Sequence, residues 1–146
     1  MSLEKKSQEL TPQRIHAMRE QAASAARNAY APYSNFFVGA AVLLENGHLV
    51  TGCNVENASF RLTTCAEQSA IARAVIEHGA HIRVVAVAIA NADATVACQP
   101  CGACRQTIAE FAEGACRIFY PGEKGEPGEC TLADLLPASF TAASLQ

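Results

Sequence analysis

A three-layer α-β-α sandwich built on one mixed sheet is the fold class this sequence predicts, and three observations predict it. Two apolar runs flank Glu45-Asn46-Gly47, and Asn-Gly between such runs is a strong hairpin signal. Residues 84–90 are continuously apolar and bounded by polar positions, the pattern of a strand buried on both faces. Around these strands lie three stretches with helical spacing of apolar residues, two of which open on a cysteine motif.

Taken along the chain, Thr11-Pro12 reads as an N-cap followed by proline at the first helical position. Ile15, Met18, Ala22, Ala25 and Ala29 then give one apolar face as far as about Tyr30, where Ala31-Pro32-Tyr33 ends the helix. Residues 37–44 and 48–54 are the two strands of the hairpin. From Cys65 to His78 the stripe Ala66, Ala70, Ile71, Ala74 and Val75 makes a second helix, stopped by Gly79. After the buried strand, Pro100 marks the start of a third helix with Ile108 and Phe111 on its inner side. Residues 117–120 make a further strand, 121–129 a surface loop rich in Gly and Glu, and 132–136 a short helical turn before Pro137. The predicted order is α-β-β-α-β-α-β, with a mixed sheet between helices.

At 146 residues the chain fits one domain, residues 1–146, with a polar segment, residues 1–10, expected to be flexible. Seven cysteines, an odd number with a C-x-x-C pair, argue for reduced thiols and metal rather than a disulfide framework, hence a soluble cytoplasmic protein. Eleven Lys and Arg against fourteen Asp and Glu give a net charge of −3, with the basic residues dispersed. Nucleic acid and anionic membranes, which demand clustered basic contacts, are therefore not expected partners; a small neutral substrate is.

The chemistry concentrates in Cys65-Ala66-Glu67 and Pro100-Cys101-Gly102-Ala103-Cys104. Three soft ligands with a nearby carboxylate outline a catalytic zinc site, because hydrolytic zinc keeps its fourth position for a water whose pKa falls to about 7. Both motifs fall at helix N-termini, where the dipole stabilises thiolates. In mid-helix Cys65 and Glu67 would point nearly opposite ways. At a helix start, where the first residue has non-helical dihedrals, both can face one pocket.

The segments Tyr30-Ala31-Pro32-Tyr33-Ser34-Asn35-Phe36, Val38-Gly39-Ala40-Ala41, Gly52-Cys53-Asn54-Val55-Glu56-Asn57-Ala58, Cys65-Ala66-Glu67, Pro100-Cys101-Gly102-Ala103-Cys104-Arg105-Gln106 and Leu135-Leu136-Pro137 occur in the order found in the small, homotetrameric zinc cytidine deaminases. The chain resembles that family over residues 29–140. The resemblance implies hydrolysis of cytidine and 2′-deoxycytidine to uridine and 2′-deoxyuridine with release of ammonia, a reaction of pyrimidine salvage. It implies Zn2+ on Cys65, Cys101 and Cys104, with Glu67 as proton shuttle. Asn54 and Glu56 would hold the sugar and Phe36 would pack on the base. The backbone N–H of Ala66 and the C=O near Gln99 would read the pyrimidine edge, and Phe140 would reach a neighbouring subunit's site in a homotetramer.

The residues agree with those roles on chemical grounds. Addition of water at C4 needs a proton at N3 and, later, one on the departing amine, and a single carboxylate beside the metal can carry both. Asn54 and Glu56, two apart at a strand end, share a face. A carboxylate there would repel a 3′-phosphate, so free nucleosides are expected over polynucleotides.

Two positions depart from the family. Gln68 stands where an arginine usually follows the catalytic glutamate, so a cation that offsets three thiolates is missing, and Arg61 and Arg105 are the candidates to replace it. Phe60 stands where tyrosine is common. Cys98, also in C-x-x-C spacing with Cys101, leaves open a closed four-thiolate structural site, although the strand end before Pro100 should aim it away.

Overall fold

In the computed structural model, residues 9–146 are described, so most of the N-terminal segment expected to be flexible lies outside the described residues. The hairpin forms as its Asn-Gly signal requires. Strand β1 (Val38–Leu44) runs antiparallel to β2 (Leu49–Cys53), in a register that sets Leu43 opposite Leu49 and Gly39 opposite Cys53. Gly47 adopts φ 89°, the left-handed region that lets a three-residue loop follow the strand twist. Asn46 Oδ1 accepts from the His48 N–H at 3.0 Å, and Arg14 of the first helix donates to the Gly47 carbonyl at 2.6 Å, tying the turn to the layer above.

On its other side β1 pairs antiparallel with β3 (Val84–Asn91), β3 pairs parallel with β4 (Ala112–Pro121), and β4 pairs antiparallel with β5 (Pro127–Thr131). The sheet order is β2-β1-β3-β4-β5. Because β1 and β3 sit inside it, they are buried on both faces, and their alternating side chains feed two separate cores. Ala41, Leu43, Ala86, Ala88 and Phe119 meet Met18 and Ala22 of α1 (Pro12–Ala26). Ala40, Val42, Leu44, Val87, Ile89 and Ile118 meet Ala70, Ile71 and Ala74 of α2 (Ala66–His78), Ile108 of α3 (Gly102–Phe111) and Leu132 of the short α4 (Leu132–Leu135). These are the three layers expected.

One helix cannot cover a face of five strands spaced about 4.8 Å apart. Where α1 runs out, arginines cover the sheet instead. The guanidinium groups of Arg19 and Arg117 lie 5.4 and 5.1 Å from the centroid of the Phe119 ring, and Arg19 also donates to the carbonyls of Tyr120 and Gly128 at 3.3 and 2.9 Å.

Strand β4 starts at Ala112, five residues before the strand expected over 117–120, and two other elements differ from expectation. Helix α1 ends at Ala26, not near Tyr30, because Tyr30 joins the far side of the hairpin: its N–H donates to the Asn54 carbonyl at 3.0 Å and it bridges Val55. The expected loop over 121–129 holds strand β5 in its second half. Its Gly, Pro and Glu content hides the strand, which takes its order from the β4 ladder and begins with Pro127, a residue tolerated at a strand start or edge.

Candidate metal centre and substrate pocket

Helices α2 and α3 lie on the same face of the sheet, and each opens with a cysteine as its N-cap. Cys65 (φ −74°, ψ 158°) and Cys101 (φ −66°, ψ 168°) both have extended backbones, so each sulfur turns away from its helix axis and towards the other. Cys104 comes from the first turn of α3. Cys65 Sγ lies 3.9 Å from Cys101 Sγ, Cys101 Sγ lies 3.4 Å from Cys104 Sγ, and all three sulfurs fall within 4.8 Å of one another. Tetrahedral zinc with bonds of about 2.3 Å sets its sulfur ligands about 3.8 Å apart, so the trio fits that ion.

Several close contacts fix where these helices start. In α2 the Gln68 side chain accepts from the Cys65 N–H at 3.3 Å, completing a capping box. At Gly52 of β2, an added methyl would land on the Ala70 backbone nitrogen and the Ala66 carbonyl, so only glycine lets α2 sit this close to the sheet. Ser69 Oγ then bonds the Cys53 carbonyl at 2.8 Å. In α3, Arg105 donates to the Pro100 carbonyl at 2.8 Å and to the Leu135 carbonyl at 3.0 Å, clamping the turn that carries Cys101 to the C-terminal segment.

Glu67, in the first turn of α2, is 4% exposed, and its Oε2 accepts from Cys104 Sγ at 3.2 Å. Burial pushes its carboxyl above the ordinary range, against the opposing pull of its own backbone N–H and the Cys104 thiol. The Cys104 thiol in turn holds Cys65 down at about 7, while its own pKa is raised.

The sulfurs and Glu67 form the floor of a cavity of about 180 Å³, whose walls include Phe36, Val38, Asn54, Thr63, Ala66, Cys98 and Gln99. Phe36, Asn54, Ala66 and Gln99 were expected at the site from the sequence. Val38 and Thr63 were not, since neither carries a recognisable signal. Cys98 lines the cavity but stands outside the sulfur trio, and burial pushes its thiol up to about 11. Glu56 and Phe140 are not among the lining residues. Glu56 accepts from the backbone N–H groups of Tyr33 and Ser34 at 2.9 and 3.1 Å and from the Ser34 hydroxyl at 2.5 Å. Phe140 is 60% exposed, its carbonyl accepting from Gln106 Nε2 at 2.9 Å.

Residues 12–120 match the sequence family described as the cytidine and deoxycytidylate deaminase zinc-binding region. The chain belongs to that family. A cytidine deaminase of Sporosarcina psychrophila is 42% identical over 131 residues, 90% of this chain and 94% of that protein. One of Mycobacterium tuberculosis is 41% identical over 123 residues, 84% of this chain and 86% of that protein. The crystal structure of a cytidine deaminase from Burkholderia pseudomallei is similar with a TM-score of 0.77 at 38% identity, covering 86% of this chain and 98% of that one. The corresponding Mycobacterium tuberculosis structure gives 0.76 at 40% identity, covering 86% and 96%. Zinc is thus the ion of the family, and Cys65, Cys101 and Cys104 are the group that fits it.

Proposed function

We propose that this chain hydrolyses cytidine and 2′-deoxycytidine to uridine and 2′-deoxyuridine with release of ammonia, in pyrimidine salvage. The observation that carries the reading is the buried carboxylate of Glu67, 3.2 Å from Cys104 Sγ but outside the group of three sulfurs, on the floor of the cavity. Zinc on Cys65, Cys101 and Cys104 supplies Lewis acidity, which makes a water nucleophilic near neutral pH. The chain's own residues do the rest. Glu67, held partly desolvated with a raised pKa, accepts a proton from the water and gives it to N3 of the pyrimidine, then takes the proton of the new C4 hydroxyl and passes it to the amine, which leaves as ammonia while C4 becomes a carbonyl. Phe36 packs on the base, while the Ala66 N–H at the start of α2 and the carbonyl near Gln99 read the pyrimidine edge.

Asn54 and Glu56 hold the sugar. Of the roughly four lone-pair sites on the Glu56 carboxylate, the three bonds from Tyr33 and Ser34 leave room for one hydroxyl donor. The asparagine amide donates to the Phe36 carbonyl at 2.8 Å and accepts from the Val38 N–H at 2.9 Å, leaving one N–H and one lone pair for substrate.

The domain, residues 1–146, acts as a cytoplasmic homotetramer whose sites are completed by neighbouring subunits. A cavity of about 180 Å³ is smaller than the roughly 300–1,000 Å³ of small-molecule sites, so this chain's walls enclose only part of a nucleoside. Phe60, Leu62 and Phe140 are exposed apolar side chains suited to subunit contacts. No helix among the described residues is long and apolar enough to cross a membrane. The deciding experiment is incubation with cytidine, following loss of its ultraviolet absorbance and release of ammonia. Neither change with zinc-loaded protein would overturn the reading.

A further inference from the structure

The geometry points to Ser34 as a positioning residue that joins the sugar-binding carboxylate to the base-binding strap, through the chain of bonds Phe36 N–H to Ser34 Oγ–H to Glu56. The Phe36 N–H lies 3.0 Å from Ser34 Oγ, and Ser34 Oγ lies 2.5 Å from Glu56 Oε2. An amide N–H only donates, so the serine oxygen accepts from Phe36 and its single hydrogen goes to the carboxylate. That order is forced by the chemistry of the two ends.

Everything around the serine is built to hold this line. Asn35 takes a left-handed φ of 55°, which folds the chain back so that the Ser34 hydroxyl can reach the N–H two residues on. The Glu56 N–H donates to the Tyr30 carbonyl at 2.8 Å, and the Tyr33 and Ser34 N–H groups converge on Oε1. Downstream, the Asn54 amide bonds both Phe36 and Val38. Residues 33–38 are therefore a strap anchored at one end by Glu56 and at the other by Asn54, with Phe36 between the anchors. Ser34 fixes which oxygen of Glu56 stays open: Oε1 takes two donors, and Oε2 keeps the remaining site on the side set by the serine hydroxyl. Removing the hydroxyl frees the carboxylate to rotate about its terminal bond and severs it from Phe36.

This inference rests on the reading of Glu56 as the ligand of a sugar hydroxyl, and its test separates the two. Zinc-loaded wild type, Ser34→Ala, Ser34→Thr and Ser34→Cys are assayed on cytidine and on 3′-deoxycytidine, with zinc content and thermal melting measured for each. The wild type should prefer cytidine in kcat/KM. Ser34→Ala should lose about 10-fold on cytidine, the size expected when a hydrogen bond to a charged group is lost, chiefly through KM and with little change on 3′-deoxycytidine. Ser34→Thr restores the preference. Ser34→Cys, a near-isostere with a weak donor, should behave like alanine, and it answers the question where the alanine variant does not fold. A second substitution, Glu56→Gln, should add little to Ser34→Ala, because the two act through one contact. Equal loss on both substrates would make Ser34 merely structural and overturn the proposal. Preference for cytidine that survives in Ser34→Ala overturns it while leaving the sugar reading intact. A wild type that does not distinguish the two substrates overturns both.

Discussion

Glu67 Oε2 stands 3.2 Å from Cys104 Sγ, on the only one of the three sulfur-bearing residues that is itself buried within a helix turn rather than placed at a cap. The carboxylate thus faces the sulfur cluster from within the protein, beside it and not part of it. Glu67→Gln should accordingly keep zinc while losing roughly 10²–10⁴-fold in turnover, the usual contribution of a positioned general acid–base group. Metal analysis beside a cytidine assay checks both halves. Zinc lost together with activity would make Glu67 a ligand.

Cys98 and Cys101 are the pair that decides between an open and a closed site. Both line the cavity, yet only Cys101 belongs to the sulfur trio. Cys98→Ala is expected to retain about one zinc per chain and its activity, whereas Cys101→Ala loses both, and treatment of the wild type with a strong chelator should remove zinc and activity in parallel. Equal zinc loss in the two variants would establish a four-thiolate centre.

Arg105 donates to two carbonyls, those of Pro100 and Leu135. Its expected role is to brace α3 against the C-terminal segment, so Arg105→Ala should lower the unfolding free energy by about 1.5–3 kcal/mol, the value of a charged hydrogen bond. Gln68 caps α2 instead of carrying charge. Denaturant unfolding and turnover of Arg105→Ala, Gln68→Arg and the double variant should give additive effects, which separates bracing from shared electrostatics. Rescue by Gln68→Arg would show that Arg105 does offset the thiolate charge.

The Ser34 hydroxyl, with the two N–H groups beside it, holds the Glu56 carboxyl below its ordinary value of 4.5. A depressed folded value means that the contribution of this group to stability is complete above the unfolded pKa and disappears as pH falls through the folded one. The stability gap between wild type and Glu56→Gln should therefore be constant near neutrality and close in acid. Urea unfolding of both proteins along a pH series measures it. A gap that widens in acid contradicts the depressed value.

Much of this site was legible in the sequence because its chemistry is written in local motifs. Cys65-Ala66-Glu67 and the Pro100 to Cys104 run each specify a helix start, and a helix start both aims a cysteine and stabilises its thiolate. The hairpin and the buried strand β3 were equally plain, one from Asn-Gly and the other from unbroken apolar residues. Strand β5 was hidden because an edge strand owes its shape to a neighbour's backbone rather than to its own side chains. The hold of Tyr33 and Ser34 on Glu56 spans more than twenty residues, and nothing in either segment states the distance between them. Arg105 illustrates the converse. Its charge and position near the motif suggest electrostatics, and the two carbonyl bonds it makes, one of them thirty residues away, carry no signal in the sequence.

The three candidate sulfur ligands are divided between two helices that the chain makes at different times. Cys65 is in place once the hairpin and α2 exist, but Cys101 and Cys104 follow only after β3 has been laid down between them. A nascent chain leaving the ribosome holds one thiol of the three until most of the central sheet has emerged. A site of three thiols is therefore complete only once both helices are in place, and metal content should track completed folding.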